Sequence, residues 1–118
     1  MRIFIYLAVL LALALPAGAT EPVIYRAASS YSLASTTPST ATTAAIGPFI
    51  RVVRIHATED TFVLIGTSDS NGTLVATAAT SIFLPADTTE YFWVSPGRFI
   101  AVLQDSTSGT VYISEMGR

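Results

Sequence analysis

His56 is the single imidazole in a chain of 118 residues that holds no cysteine, so any search for nucleophilic or acid–base chemistry starts there. A lone histidine acts as a general base only with an orienting acid and a nucleophile in reach. The nearest acids, Glu59 and Asp60, lie across an expected turn. The residue therefore reads as a rim or surface histidine on the more polar side of a strand. Serine and threonine are abundant, but none occupies a Gly-x-Ser-x-Gly elbow. The carboxylates fall almost wholly in turns (Asp60, Asp69, Asp87, Asp105), where aspartate commonly hydrogen-bonds its own backbone, the role expected here. A glycosidase-type acid pair forms in space rather than in sequence, and eight acids placed mostly at loop tips give it little support. Asp69-x-Asn71-Gly72 has the outline of a calcium-loop start, yet Thr80 stands where the bidentate glutamate belongs. No catalytic residue, metal ligand or cofactor is assigned, and the chain is expected not to be an enzyme.

Tyr91, Phe92, Trp93 and Phe99 form the other group with binding chemistry. Side chains alternate across a strand, so Tyr91 and Trp93 share one face while Phe92 and Val94 share the other. Burial of Tyr91 and Trp93 makes an ordinary core; exposure makes an aromatic strip that can stack on a glycan or peptide. Tryptophan is mostly buried in small domains, so the core reading is the default.

The elements that position these residues are short. From Pro48 onward, β-branched and aromatic runs alternate with turn signals at roughly ten-residue spacing, the pattern of an all-β domain. Strands are expected over Phe49–Ala57, Thr61–Gly66, Thr73–Thr77, Ser81–Leu84, Tyr91–Val94, Phe99–Gln104 and Val111–Glu115. In the first, Phe49, Arg51, Val53, Ile55 and Ala57 make the more apolar, inward face; Ile50, Val52, Arg54 and His56 face out. Asn71-Gly72 fits a tight hairpin turn, and the same residues open a glycosylation sequon with Thr73. Ser95-Pro96-Gly97-Arg98 fits a type II turn. No helical period is sustained. About seven antiparallel strands joined by tight turns point to a small β-sandwich over residues 48–118, with consecutive strands as neighbours.

Ahead of that domain lie two segments of different grain. Residues 1–19 read as a signal peptide: Arg2, the apolar run Ile3–Leu15, then Pro16-Ala17-Gly18-Ala19 with an A-x-A cleavage site. The run falls short of the ~20 residues that span a bilayer, so an apolar anchor is the weaker alternative. Residues 20–47 form a Ser/Thr/Ala-rich arm, too poor in large apolar groups to build a core, and expected as a flexible linker or an extended edge segment. The arm could also serve as a strand exchanged between protomers. The absence of cysteine rules out a disulfide framework, so burial and sheet hydrogen bonds must hold the fold. All six basic residues are arginines, dispersed along a chain of net charge −2, which argues against nucleic acid as a partner.

The stretch from Ala78-Ala79-Thr80-Ser81-Ile82-Phe83-Leu84-Pro85-Ala86-Asp87 through Thr88-Thr89-Glu90-Tyr91-Phe92 is followed by Val94-x-Pro96-Gly97. Ile100-Ala101-Val102-Leu103-Gln104-Asp105-Ser106 and Gly109-Thr110-Val111 complete the pattern. Over about residues 48–116 this resembles small virion-associated structural proteins of tailed bacteriophages. The resemblance implies a decoration, spike or connector role through surface contact with other protein subunits, a homo-oligomer among them, and transfers no site residue. The alternative expectation is an exported periplasmic or cell-surface binding domain that recognises glycan or peptide through Tyr91 and Trp93. A cleaved signal places the chain outside the cytoplasm, with membrane contact only through the export segment. An uncleaved one places it in a virion.

Overall fold

The computed structural model describes residues 26–68 and 73–117. The expected signal segment and the Asn71-Gly72 turn lie outside the described residues. Eight strands form: β1 (Arg26–Ser35), β2 (Thr40–Ala41), β3 (Val52–Ala57), β4 (Thr61–Gly66), β5 (Ile82–Leu84), β6 (Thr88–Trp93), β7 (Phe99–Gln104) and β8 (Gly109–Gly117). They pair antiparallel in two four-stranded sheets, β1-β8-β3-β6 (sheet A) and β2-β7-β4-β5 (sheet B). The all-β sandwich expected from the alternating runs is the observed architecture.

Alternation decides what each strand buries. In β3, Val53, Ile55 and Ala57 turn inward and are fully buried, as do Val111 and Ile113 of β8. Val63 of β4 and Ile100 and Val102 of β7 meet them from sheet B, with Leu84, Ile46, Ile50 and Val94 closing the core. At ~25 cal/mol per Å² of apolar surface removed from water, each of the Val, Leu and Ile side chains contributes about 1.5–3 kcal/mol. One polar pair sits among them. The Ser35 hydroxyl on β1 and the Thr61 hydroxyl on β4 are both buried and lie 2.8 Å apart, a hydrogen bond that joins the two sheets.

Three expectations need correction. Consecutive strands are mostly not neighbours: only β4 and β5 are adjacent in both sequence and sheet, and the other turns carry the chain across the sandwich. The Ser95–Arg98 turn shows why. Gly97 has φ of +80°, as a type II turn requires. Type II twist splays a two-residue hairpin, whereas here the turn arches from sheet A to sheet B. Second, Thr73–Thr77 forms no strand. Leu74 packs on Gly66, the Ala76 N–H donates to Ser39 Oγ at 3.0 Å, and the segment lies across the outer face of sheet B. Third, Phe49 and Arg51 do not face the core. The Ile50 N–H bonds to the Gly47 carbonyl, and this turn breaks the alternation before β3 begins; Ile50 is buried and Phe49 is 90% exposed.

Of the two readings of the Ser/Thr/Ala-rich arm, the extended edge is realised over Arg26–Ser35. These residues pair with β8 from Arg26↔Gly117 to Ser35↔Gly109, so the sheet begins well before residue 48. Backbone ladder bonds need no large side chains, which is why a segment poor in apolar groups can still be a strand. Glu115 of β8 pins it. Its buried carboxylate accepts from Ser29 Oγ at 2.7 Å and from the Gly47 N–H at 2.8 Å. Burial and the neighbouring Glu115 charge push the Tyr31 phenol up to about 12.

Candidate functional site

The outer face of sheet A takes the side chains that the core does not. Three rows of cross-strand partners run over it. The first holds Met116, Val52 and Trp93; the second Ser30, Ser114, Arg54 and Tyr91; the third Ser32, Tyr112, His56 and Thr89. Directly opposed residues on such a face have Cβ atoms ~4.5–5.5 Å apart, so each row is a contiguous strip.

Trp93 and Tyr91 stand on this face at 80% and 61% exposure. The default expectation that they sit in the core is therefore corrected: Phe92 and Val94 pack inward and leave the other parity to solvent. The reason is the sheet order. Strand β6 is the edge of sheet A, and no described segment lies over its outer side. Two residues apart on one strand, the two rings rise from positions roughly 7 Å from each other, a spacing that suits adjacent rings of a bound chain molecule. Trp93 stands at a corner, since it also borders a lateral groove lined by Ile65, Ile82, Phe92 and Arg98.

Beside the strip lies a shallow groove of about 430 Å³, lined by Ser30, Ser32, Arg54, Tyr112 and Ser114 and floored at Tyr31 and Ile113. That volume lies within the ~300–1,000 Å³ typical of small-molecule clefts. Tyr112 is half exposed. Ser30 and Ser114 hydroxyls lie 3.1 Å apart. Among the described residues the Arg54 guanidinium has no hydrogen-bond or ion-pair partner. The acids of these strands take the opposite parity: Glu90 is level with the buried Ile55, and Glu115 with Val53.

His56 is the remaining titratable side chain of the face. Its Nδ1 lies 2.8 Å from Thr89 Oγ1, and among the described residues no carboxylate orients it. Asp60 is engaged elsewhere: its Oδ1 accepts from the Ala86 N–H at 2.8 Å, tying one turn to another rather than bonding the backbone of its own turn as expected. Asp87 adopts φ of 55°, a left-handed position that aspartate tolerates. Among the described residues no group of three or more His, Asp or Glu side chains could hold a metal ion.

Sequence reasoning identified Tyr91 and Trp93 as a pair and placed Arg54 outward with His56. It missed Tyr112 and the three serines, because their membership depends on β8 lying between β1 and β3. Alternation in Val111–Glu115 does set Tyr112 apart from its apolar neighbours, and that was the one available signal. No protein-family model, curated protein or solved structure matches the chain, so the likeness to phage virion proteins rests on the residues quoted for it alone.

Proposed function

We propose that the chain is a non-enzymatic binding module whose ligand is a glycan held against the outer face of sheet A by Trp93 and Tyr91. The observation that carries this reading is the exposure of both rings on an uncovered sheet face. Two flat aromatic surfaces beside a hydroxyl-lined groove match the alternating apolar faces and polar edges of a sugar chain, and exposed aromatic patches mark interaction sites. Export fits such a role, with Met1–Ala19 as the signal; an intact mass beginning at Thr20 in the periplasm of a Gram-negative host is the expected result. Trp93 is the single tryptophan, so its emission reports the site directly. Red-shifted, iodide-accessible emission that is quenched by an oligosaccharide supports the proposal. Turnover of a sugar substrate that is lost in His56→Ala would overturn its non-enzymatic part.

The virion-type structural role is the second reading, favoured by one observation. Strand β1 is long and forms the outer edge of sheet A, and no described strand pairs with its far side, an edge that another subunit can extend. Sedimentation of the full chain separates the two: a symmetric assembly in the absence of sugar favours the structural role, and a monomer that binds sugar favours the first.

A further inference from the structure

We infer that the saccharide bound on sheet A carries a carboxylate, and that Arg54 is the residue that reads it. The inference deepens the glycan reading above and rests on it.

Arg54 occupies the middle of the face, opposite Tyr91 on β6 and Ser114 on β8. It is half-buried in the groove between Tyr112 and the serines, without a partner among the described residues. A partly desolvated guanidinium gains from an anion far more than a fully hydrated one does, and its planar fork matches a carboxylate in two parallel hydrogen bonds. The other charges nearby do not supply that anion. Glu90 and Glu115 sit on the opposite side of their strands, and His56 is engaged with Thr89. Among the described residues the face is thus cationic and carboxylate-free within a chain of net charge −2, which is local complementarity to an acid.

An acidic sugar fits better than an acidic peptide. Peptides that bind sheets draw affinity from main-chain hydrogen bonds along an edge, whereas the backbone groups beneath Arg54 are spent in the ladders to β6 and β8. What the face offers instead is hydroxyls (Ser30, Ser32, Ser114) and flat rings, the partners of a polyhydroxylated ring. A uronate or sialate residue would set its carboxylate on Arg54 and extend the adjoining sugars over Tyr91 and Trp93.

The test titrates the full chain with trigalacturonate and its methyl ester, and with 3′-sialyllactose and lactose, following Trp93 emission. Hexaglutamate serves as the peptide probe. The expected result is that at least one acidic sugar binds more tightly than its neutral counterpart. Arg54→Gln should weaken that sugar by about 10- to 100-fold, the loss of a charged hydrogen-bonded partner, and so narrow the gap between it and the neutral sugar. Arg54→Lys, which keeps the charge without the fork, should fall between; both variants should melt as the native chain does. Equal binding of acidic and neutral sugars, indifferent to Arg54→Gln, would overturn the carboxylate inference and leave the glycan reading standing. Binding of hexaglutamate alone would replace sugar by peptide, and no response to any probe would overturn both.

Discussion

The two outer faces of the sandwich are built by the same alternation and end in opposite states. On sheet B the outward residues of β4 and β7 include Leu64, Phe62 and Ala101, and the chain covers them with its own segment. Leu74 packs on Gly66, Ala76 is buried and anchored to Ser39, and Ala101 is fully buried although it points away from the core. Phe62 and Phe83 meet at 5.6 Å at the border of that cover. Among the described residues no such segment lies on sheet A, yet Trp93, Tyr91 and Tyr112 stand outward there. Among the described residues the chain shields one outer face and leaves larger rings bare on the other, and the proposed binding role rests on that contrast.

Stability should therefore reside in the inter-sheet contacts and the cover, and function on the bare face. The largest effect is expected where the sheets are tied from within. Ser35→Ala leaves the buried Thr61 hydroxyl without its partner and should cost about 1–3 kcal/mol in urea unfolding. Removing the cover comes next. Leu74→Ala strips a half-buried side chain from sheet B and should cost about 1–2 kcal/mol, accompanied by a rise in binding of an apolar dye. Alkali tests the β1 seam. The Tyr31 phenol titrates at about 12 when folded, against about 10 for the free group, so the unfolded chain loses that proton first. Stability should be unaffected by this group below about pH 10 and should fall between about 10 and 12. Tyr31→Phe should flatten that part of the profile. The smallest effect on stability is expected on the bare face. Tyr91→Ala should change it by no more than about 0.5 kcal/mol, yet abolish quenching of Trp93 by sugar; a loss of stability comparable to that of Leu74→Ala would erase the distinction between the faces.

Sequence reasoning reached the individual strands better than their arrangement. The bounds of Thr61–Gly66 and Phe99–Gln104 follow from runs of β-branched and aromatic residues between turn signals, because burial on one face enforces that pattern. The inward set Val53, Ile55 and Ala57 was legible for the same reason. Strand β1 was harder to read, since its contribution is mostly backbone bonding and its residues pair with a strand near the far end of the chain. Thr73–Thr77 shows the converse failure: threonine and valine favour strands, but Leu74 and Ala76 gain more by covering sheet B. The candidate site was half legible. Alternation pairs Tyr91 with Trp93 and Arg54 with His56, but which of two faces meets solvent depends on sheet order, a long-range property that no local window contains.

The arched connections have a consequence for how the chain reaches this structure. With one exception, each strand pairs with partners distant in sequence, and Arg26 must find Gly117. Folds dominated by such non-local pairings reach the native state in milliseconds to seconds rather than microseconds. During synthesis from the N-terminus, β1 waits for β8, and sheet A stays incomplete until β8 emerges. Glu115, by joining Ser29 to Gly47 from that strand, closes sheet A late, so β1 is locked only after a residue 86 positions beyond Ser29 has been made.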